Sequence, residues 1–320
     1  MERKKRSNLL VILLFIFSIL VFIFAIWYFN REDAPRNIST DGKVKAVATI
    51  FPIYDILREV GGDRVEATLL LLPGASPHNF EPLPKDVRDL DKTNLVLFVG
   101  AGIDYWANDL VLDNIDQGRS NYIAIDMSQI VELRPFGKIE TDGEDVPDTN
   151  ENFDPHFWLS PENAPLIANE IASHLSSLDP VNREYYRKNA QNFINELDEK
   201  TGEWKDNINN LENKKMIVFH DAWFYFADYF ALDIVAAFEP IAGKSPSPKY
   251  LQSILDEIEK NKVDVLFIEP QLDPEIALAM AQGLVDNFEV LDPIGGLDER
   301  DSYINLIDYN VKTIIKALEN

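Results

Sequence analysis

One stretch of this 320-residue chain constrains the fold more than any other. From Val181 to about Leu211, directly after Asp179-Pro180, the sequence is charged, lacks proline and carries one glycine, Gly202. Tyr185, Ala190, Phe193, Ile194, Leu197, Trp204, Ile208 and Leu211 recur through it at roughly helical spacing. A helix of about 30 residues would be about 45 Å long. That suits a spine crossing from one lobe to another better than a helix packed on one sheet.

On both sides of this segment, strand and helix patterns alternate. Before it, Lys45–Phe51, Val65–Leu72, Leu95–Val99 and Tyr122–Ile125 read as buried strands, and Ile53–Val60 reads as a short helix stopped by Gly61-Gly62. After it, strands are expected at Lys215–Phe219, Asp233–Phe238, Val263–Ile268 and Glu289–Leu291. Helices are expected at Asp221–Ala231, Pro248–Lys260, Asp273–Asp286 and Ser302–Leu318. Such βαβ rhythm implies mostly parallel sheets covered by helices. The fold class is therefore α/β, with two lobes, each a mostly parallel sheet flanked by helices, joined by one long rigid helix. The expected boundaries are 1–30 for a membrane anchor or signal segment, 31–43 for a tether, 44–178 for an N-terminal lobe, 179–213 for the linking helix and 214–320 for a C-terminal lobe.

The N-terminal segment sets the compartment. Arg3-Lys4-Lys5-Arg6 precede an apolar run from Leu9 to Phe29, with Ser18 its only polar interruption. About 20 apolar residues span a bilayer as a helix, and the basic cluster stays on the cytoplasmic side. Aromatic residues at its end and the lack of a small-x-small cleavage site point to an uncleaved anchor in the cell membrane, with everything after Asn30 extracytoplasmic. The formal net charge of −24 argues against nucleic acid and fits a cationic ligand. There are no cysteines, which removes disulfides, thiolate metal sites and a lipid-modified cysteine together. Lys138–Asp154 is rich in Asp and Glu and reads as an acidic loop.

Three of the four histidines stand in marked contexts. His78 lies in Ser76-Pro77-His78-Asn79-Phe80-Glu81-Pro82, His156 in Asp154-Pro155-His156-Phe157-Trp158-Leu159, and His220 closes the apolar run Met216-Ile217-Val218-Phe219. Each sits at a strand end or in a following loop, where open α/β sheets bind ligands. Neutral imidazole is the commonest protein ligand for zinc and similar ions. Three imidazoles leave a fourth position. Asp292, in Val290-Leu291-Asp292-Pro293-Ile294, and Glu269, in Phe267-Ile268-Glu269-Pro270, are the carboxylate candidates, with water the remaining one. Asp154 or Asp221 is placed to accept the other ring N–H of a ligating histidine. His174, inside a helix pattern, reads as a cap, a hydrogen-bonded core group or a surface residue and not as a ligand, and Trp158, Trp223 and Tyr225 read as packing around the cleft.

These segments, together with Val218-Phe219-His220-Asp221-Ala222-Trp223-Phe224-Tyr225-Phe226-Ala227 and Leu291-Asp292-Pro293-Ile294-Gly295, resemble the signatures of the metal-binding receptors of zinc and manganese ABC importers. The resemblance runs in order over roughly Lys43 to Asn320. It implies a metal held between two lobes on His78, His156, His220 and Asp292. The third imidazole leans towards Zn2+, with Mn2+ the other candidate. It further implies a membrane ABC permease as partner, delivery of the ion without turnover, and a monomer. Many zinc members carry a histidine-rich loop before the second ligand, whereas the loop here is acidic. Two rival readings of such a site are a zinc-dependent hydrolase and an adhesin with a structural metal. The hydrolase lacks support from any His-Glu-x-x-His helix, serine nucleophile elbow or phosphate-cradling glycine loop. Capture through imidazoles predicts an affinity that falls as pH drops through about 6.5.

Overall fold

The computed structural model describes residues 42–83, 85–86, 90, 92–107, 122–135, 153–239, 247–263, 265–271, 285 and 287–319. The expected membrane segment Leu9–Phe29, nearly all of the tether and of the acidic loop, and almost the whole expected helix Asp273–Asp286 lie outside them. No helix among the described residues is long and apolar enough to cross a membrane.

The first sheet contains β1 (Val44–Ala48), β2 (Val65–Leu69), β3 (Leu95–Phe98) and β4 (Ile123–Asp126) in the order β2-β1-β3-β4, with every pair parallel. The second contains β5 (Lys215–His220), β6 (Asp233–Glu239), β7 (Val265–Ile268) and β8 (Asn287–Val290) in the order β6-β5-β7-β8, again all parallel. Two parallel sheets flanked by helices bear out the expected α/β class.

Helix α1 (Phe51–Gly61) follows β1 and buries Ile53, Ile56, Leu57 and Val60, an i, i+3, i+4, i+7 stripe. Phe51, expected to end the strand, instead opens this helix. Pro52 in the first turn favours that start, since its missing N–H has no helical partner there anyway. Gly62 ends α1 at φ 49°, and a Cβ there would collide with the Tyr185 hydroxyl.

After α2 (Ala164–Leu178) comes the long helix α3 (Arg183–Asn209), 27 residues and about 40 Å long. Pro180–Asn182 forms a separate 3-10 turn before it. The first half of α3 is fastened to α1, through Asn189 Nδ2 donating to Val60 O at 3.1 Å. Its second half is fastened to the closing helix α6 (Tyr303–Leu318), through Trp204 Nε1 donating to Asp308 Oδ1 at 2.9 Å. Tyr186, Phe193, Leu197, Trp204 and Ile208 supply its buried stripe. One buried cluster therefore runs continuously from β1 and α1 through α3 to β5 and α6.

Helices α4 (Phe224–Phe230) and α5 (Pro248–Asn261) belong to the second sheet. Ile217 and Phe219 pack with Tyr250 and Ile254 of α5, while Val218 belongs to the continuous central cluster. Strand β5 is thus buried on both faces, which explains its unbroken apolar sequence. Period-two alternation puts His220 on the face of Val218, towards the centre of the molecule.

Candidate metal centre

The parallel topology places one candidate donor, His220, at the carboxyl end of a central strand, where open α/β sheets bind ligands. His78 lies in the segment after β2, where its backbone N–H donates to Ser76 Oγ at 3.4 Å. Trp106 Nε1 donates to the Pro77 carbonyl at 3.4 Å, and the Phe80 and Trp106 rings stack edge to face at 4.7 Å, which pins the turn. His220 is the last residue of β5. His156 stands immediately before the 3-10 turn Phe157–Leu159.

The three imidazoles converge. Their ring centroids are 5.0, 5.1 and 5.4 Å apart, and one nitrogen from each lies within 4.8 Å of the others. His156 Nε2 is 3.4 Å from His78 Nε2. Two nitrogens bound to one tetrahedral zinc at about 2.0–2.1 Å stand about 3.4 Å apart, so this pair already has the separation such an ion requires. The cavity between them, lined also by Trp158, Glu269 and Gln271, holds about 20 Å³. That is room for one ion or one water.

Carboxylates orient two of the rings. Asp154 Oδ1 accepts from the His156 backbone N–H at 2.9 Å and lies 2.8 Å from its Nδ1, as the sequence suggested. That contact leaves Nε2 as the lone-pair nitrogen turned to His78. Glu269 plays the equivalent part for His220, with Oε2 3.4 Å from Nδ1, while its Oε1 accepts from Trp223 Nε1 at 2.9 Å. Glu269 was the less favoured carboxylate in sequence, where Glu-Pro after a strand reads better as a strand terminator than as a ligand.

Asp292, expected as the fourth donor, is not in the imidazole group. It is fully buried, and its Oδ1 accepts from the backbone N–H groups of Ile294 and Gly295, both at 3.0 Å, and from Gln271 Nε2 at 2.7 Å. Its Oδ2 faces Arg300 at 3.2 Å and accepts no aligned hydrogen bond. No local pattern marks Gln271 or Arg300 in the sequence, because their role depends on chain segments meeting here.

The charges of the cluster are uneven. Burial, with the neighbouring His220 and His156, holds His78 well below the usual imidazole range, and burial with His220 does the same for His156. Burial also lowers His220, but the charge and hydrogen bond of Glu269, then Asp221 and Asp154, outweigh it and raise this ring to about 9. Burial raises Asp221 to about 8 and Asp154 to about 7. Burial and Glu269 thus oppose each other at His220, and its raised value shifts the expected proton competition above the 6.5 of a free imidazole.

Two parallel α/β lobes with a long helix packed on both, and a largely buried imidazole triad between them, define a two-lobed binding protein for a divalent metal ion. Comparisons with known proteins agree. The family described as zinc-uptake complex component A, periplasmic (ZnuA) matches residues 46–317, and the chain belongs to that family. It is 28% identical over 318 residues to the manganese ABC transporter substrate-binding lipoprotein PsaA of Streptococcus mitis, covering 95% of this chain and 97% of the relative. It is 27% identical over 281 residues to the zinc-binding lipoprotein AdcA of Streptococcus pneumoniae, covering 86% of this chain and 56% of AdcA. A crystal structure of ZnuA superposes with a TM-score of 0.73 at 28% identity, covering 86% of this chain and 99% of the other.

Proposed function

We propose that this chain is an extracytoplasmic receptor that captures Zn2+ and delivers it, without chemical turnover, to a membrane ABC permease. The observation that carries the reading is the imidazole triad, with its 3.4 Å Nε2 pair, around a cavity of about 20 Å³. Relatives named for zinc and for manganese both align along most of this chain, so the choice of ion is argued from the donors. Three nitrogen donors suit zinc, while manganese favours carboxylate-rich sites. His78, His156 and His220 are the proposed donors. Asp292 is the proposed fourth, through its Oδ2, once an entering dication displaces Arg300. The N-terminal lobe is assigned to 44–178, the linking helix to 179–213 and the C-terminal lobe to 214–320, acting as a monomer. The relatives are named lipoproteins, yet this sequence has no cysteine to carry a lipid. The apolar run Leu9–Phe29 is proposed to anchor it instead.

Elemental analysis and zinc titration of the full chain in detergent, beside His156→Ala, test this reading. One zinc per chain, lost in the variant while the ion-free protein stays folded, is expected. No stoichiometric zinc would overturn the reading. Unfolding of the ion-free protein would move it to a structural metal.

A further inference from the structure

Tyr225 lies on α4, beside the second sheet, yet its hydroxyl contacts two residues from the other side of α3 in sequence. It accepts from the Arg134 backbone N–H at 2.8 Å and donates to the Asp154 carbonyl at 3.2 Å. Arg134 and Asp154 are themselves joined, the Asp154 N–H donating to the Arg134 carbonyl at 3.0 Å, beside an antiparallel bridge between Pro135 and Phe153. One hydroxyl therefore closes a ring of hydrogen bonds across the base of the segment that leads to His156. The guanidinium of Arg134 adds a second tie to α4, pairing with Asp228 at 2.8 Å and lying 4.8 Å over the Phe224 ring. Tyr225 is only 7% exposed, so removing its hydroxyl leaves a buried donor and a buried acceptor without this partner.

The same Asp154 whose carbonyl is held by Tyr225 presents its carboxylate to the His156 backbone and ring. We propose that Tyr225 is a positioning residue for metal capture: by fixing the backbone at Asp154 from α4, it fixes the carboxylate that aims His156 Nε2 at the ion. The inference rests on the proposed role of His156 as a donor. Linkage adds a requirement. If the clamp favours binding, bound metal must stabilise the clamp by the same free energy.

The test is a zinc competition titration of the full chain in detergent, with Tyr225→Phe, Asp154→Ala, the double variant and His156→Ala. Tyr225→Phe is expected to weaken binding about tenfold, the low end of the 10–100-fold typical for groups that orient a ligating histidine. The double variant should bind no more weakly than Asp154→Ala, because both act through one carboxylate. Nitrogen NMR of the ion-free protein should show His156 as one tautomer in the wild type and as a mixture in Tyr225→Phe. A purely structural role would lower stability without that mixture. Unchanged affinity in Tyr225→Phe, or losses that multiply in the double variant, would overturn the proposal. If Tyr225→Phe does not fold, hydrogen exchange of the wild type decides: zinc should slow the Arg134 and Asp154 amides, and unchanged rates would overturn it. Zinc binding that survives His156→Ala would instead fault the donor assignment on which the inference rests.

Discussion

The two sheets share one strand order, β2-β1-β3-β4 against β6-β5-β7-β8, yet their equivalent corners are used differently. In the first, Thr49 follows β1 and its hydroxyl donates to Asp104 Oδ2 at 2.8 Å. Asp104 also accepts from the Val99 and Gly100 backbone N–H groups at 2.7 and 2.9 Å, so the corner consumes its own polar atoms. In the second, β5 ends on His220, and Glu269 just after β7 takes only one ring nitrogen. The triad forms with what is left over. Of these two corners, the one that keeps a buried nitrogen without an internal partner is the one in the imidazole triad, and the sharpest tests strike the two corners in parallel.

The largest contrast is expected from His220→Ala against Thr49→Ala. Losing a donor should weaken zinc binding by more than about 100-fold, above the range for groups that merely orient a donor. Thr49→Ala should leave affinity within about twofold and lower unfolding stability by about 1–2 kcal/mol, the cost of one buried hydrogen bond. Competition titration and urea melts read the two effects. Equal affinity loss in both variants would erase the distinction between the corners.

The next effect is pH dependence, and the corners should respond in opposite senses. Zinc must displace a proton from His220, which sits at about 9. Affinity should therefore fall about tenfold per pH unit from 8.5 down to 7, with about one proton released per ion. Calorimetry in buffers of different ionisation enthalpy counts that proton, and a flat profile would contradict the ring's raised value. At the first corner, burial raises Asp104 to about 6 despite Thr49 and the backbone donors. Its neutral form is favoured by folding, so its contribution is full below the unfolded value near 4 and is lost as pH rises through 6. Relative to Asp104→Asn, the wild type should gain about 2 kcal/mol of stability between pH 7 and 4, most of the free-energy equivalent of its raised value.

Glu269→Gln should come third, weakening zinc binding about tenfold and shallowing the pH slope, because His220 loses the charge that raises it. Unaltered slope with reduced affinity would show that Glu269 only shapes the cavity.

Much of this was legible in the sequence. Both sheets, the long helix and the three imidazoles follow from short-range patterns: β-branched runs, helical spacing and histidines at strand ends. Asp154 was legible for the same reason, being two residues from the ring it holds. The pairings that sequence missed act over long separations. Tyr225 sits 71 residues from Asp154 and Glu269 lies 46 from Trp223, so neither contact leaves a local signature. Asp292 was singled out by its strand-end position, but position says nothing about which of its oxygens neighbouring segments already occupy.

That occupancy sets the smallest and most pointed effect. Asp292 is held rigidly, its N–H donating to Asn310 Oδ1 at 2.9 Å and its carbonyl accepting from Asn310 Nδ2 at 2.8 Å, while Oδ1 takes three donors. Only Oδ2, against Arg300, is available for exchange. If zinc takes that oxygen, the guanidinium is its competitor. Arg300→Ala should then strengthen zinc binding about threefold, a modest gain because removing the cation also leaves a buried carboxylate without its pair. Asp292→Ala should weaken binding, and in its background Arg300→Ala should change nothing further. Weaker binding in Arg300→Ala alone would mean that the ion pair braces the Pro293–Gly296 turn, leaving the fourth position to water on the three imidazoles.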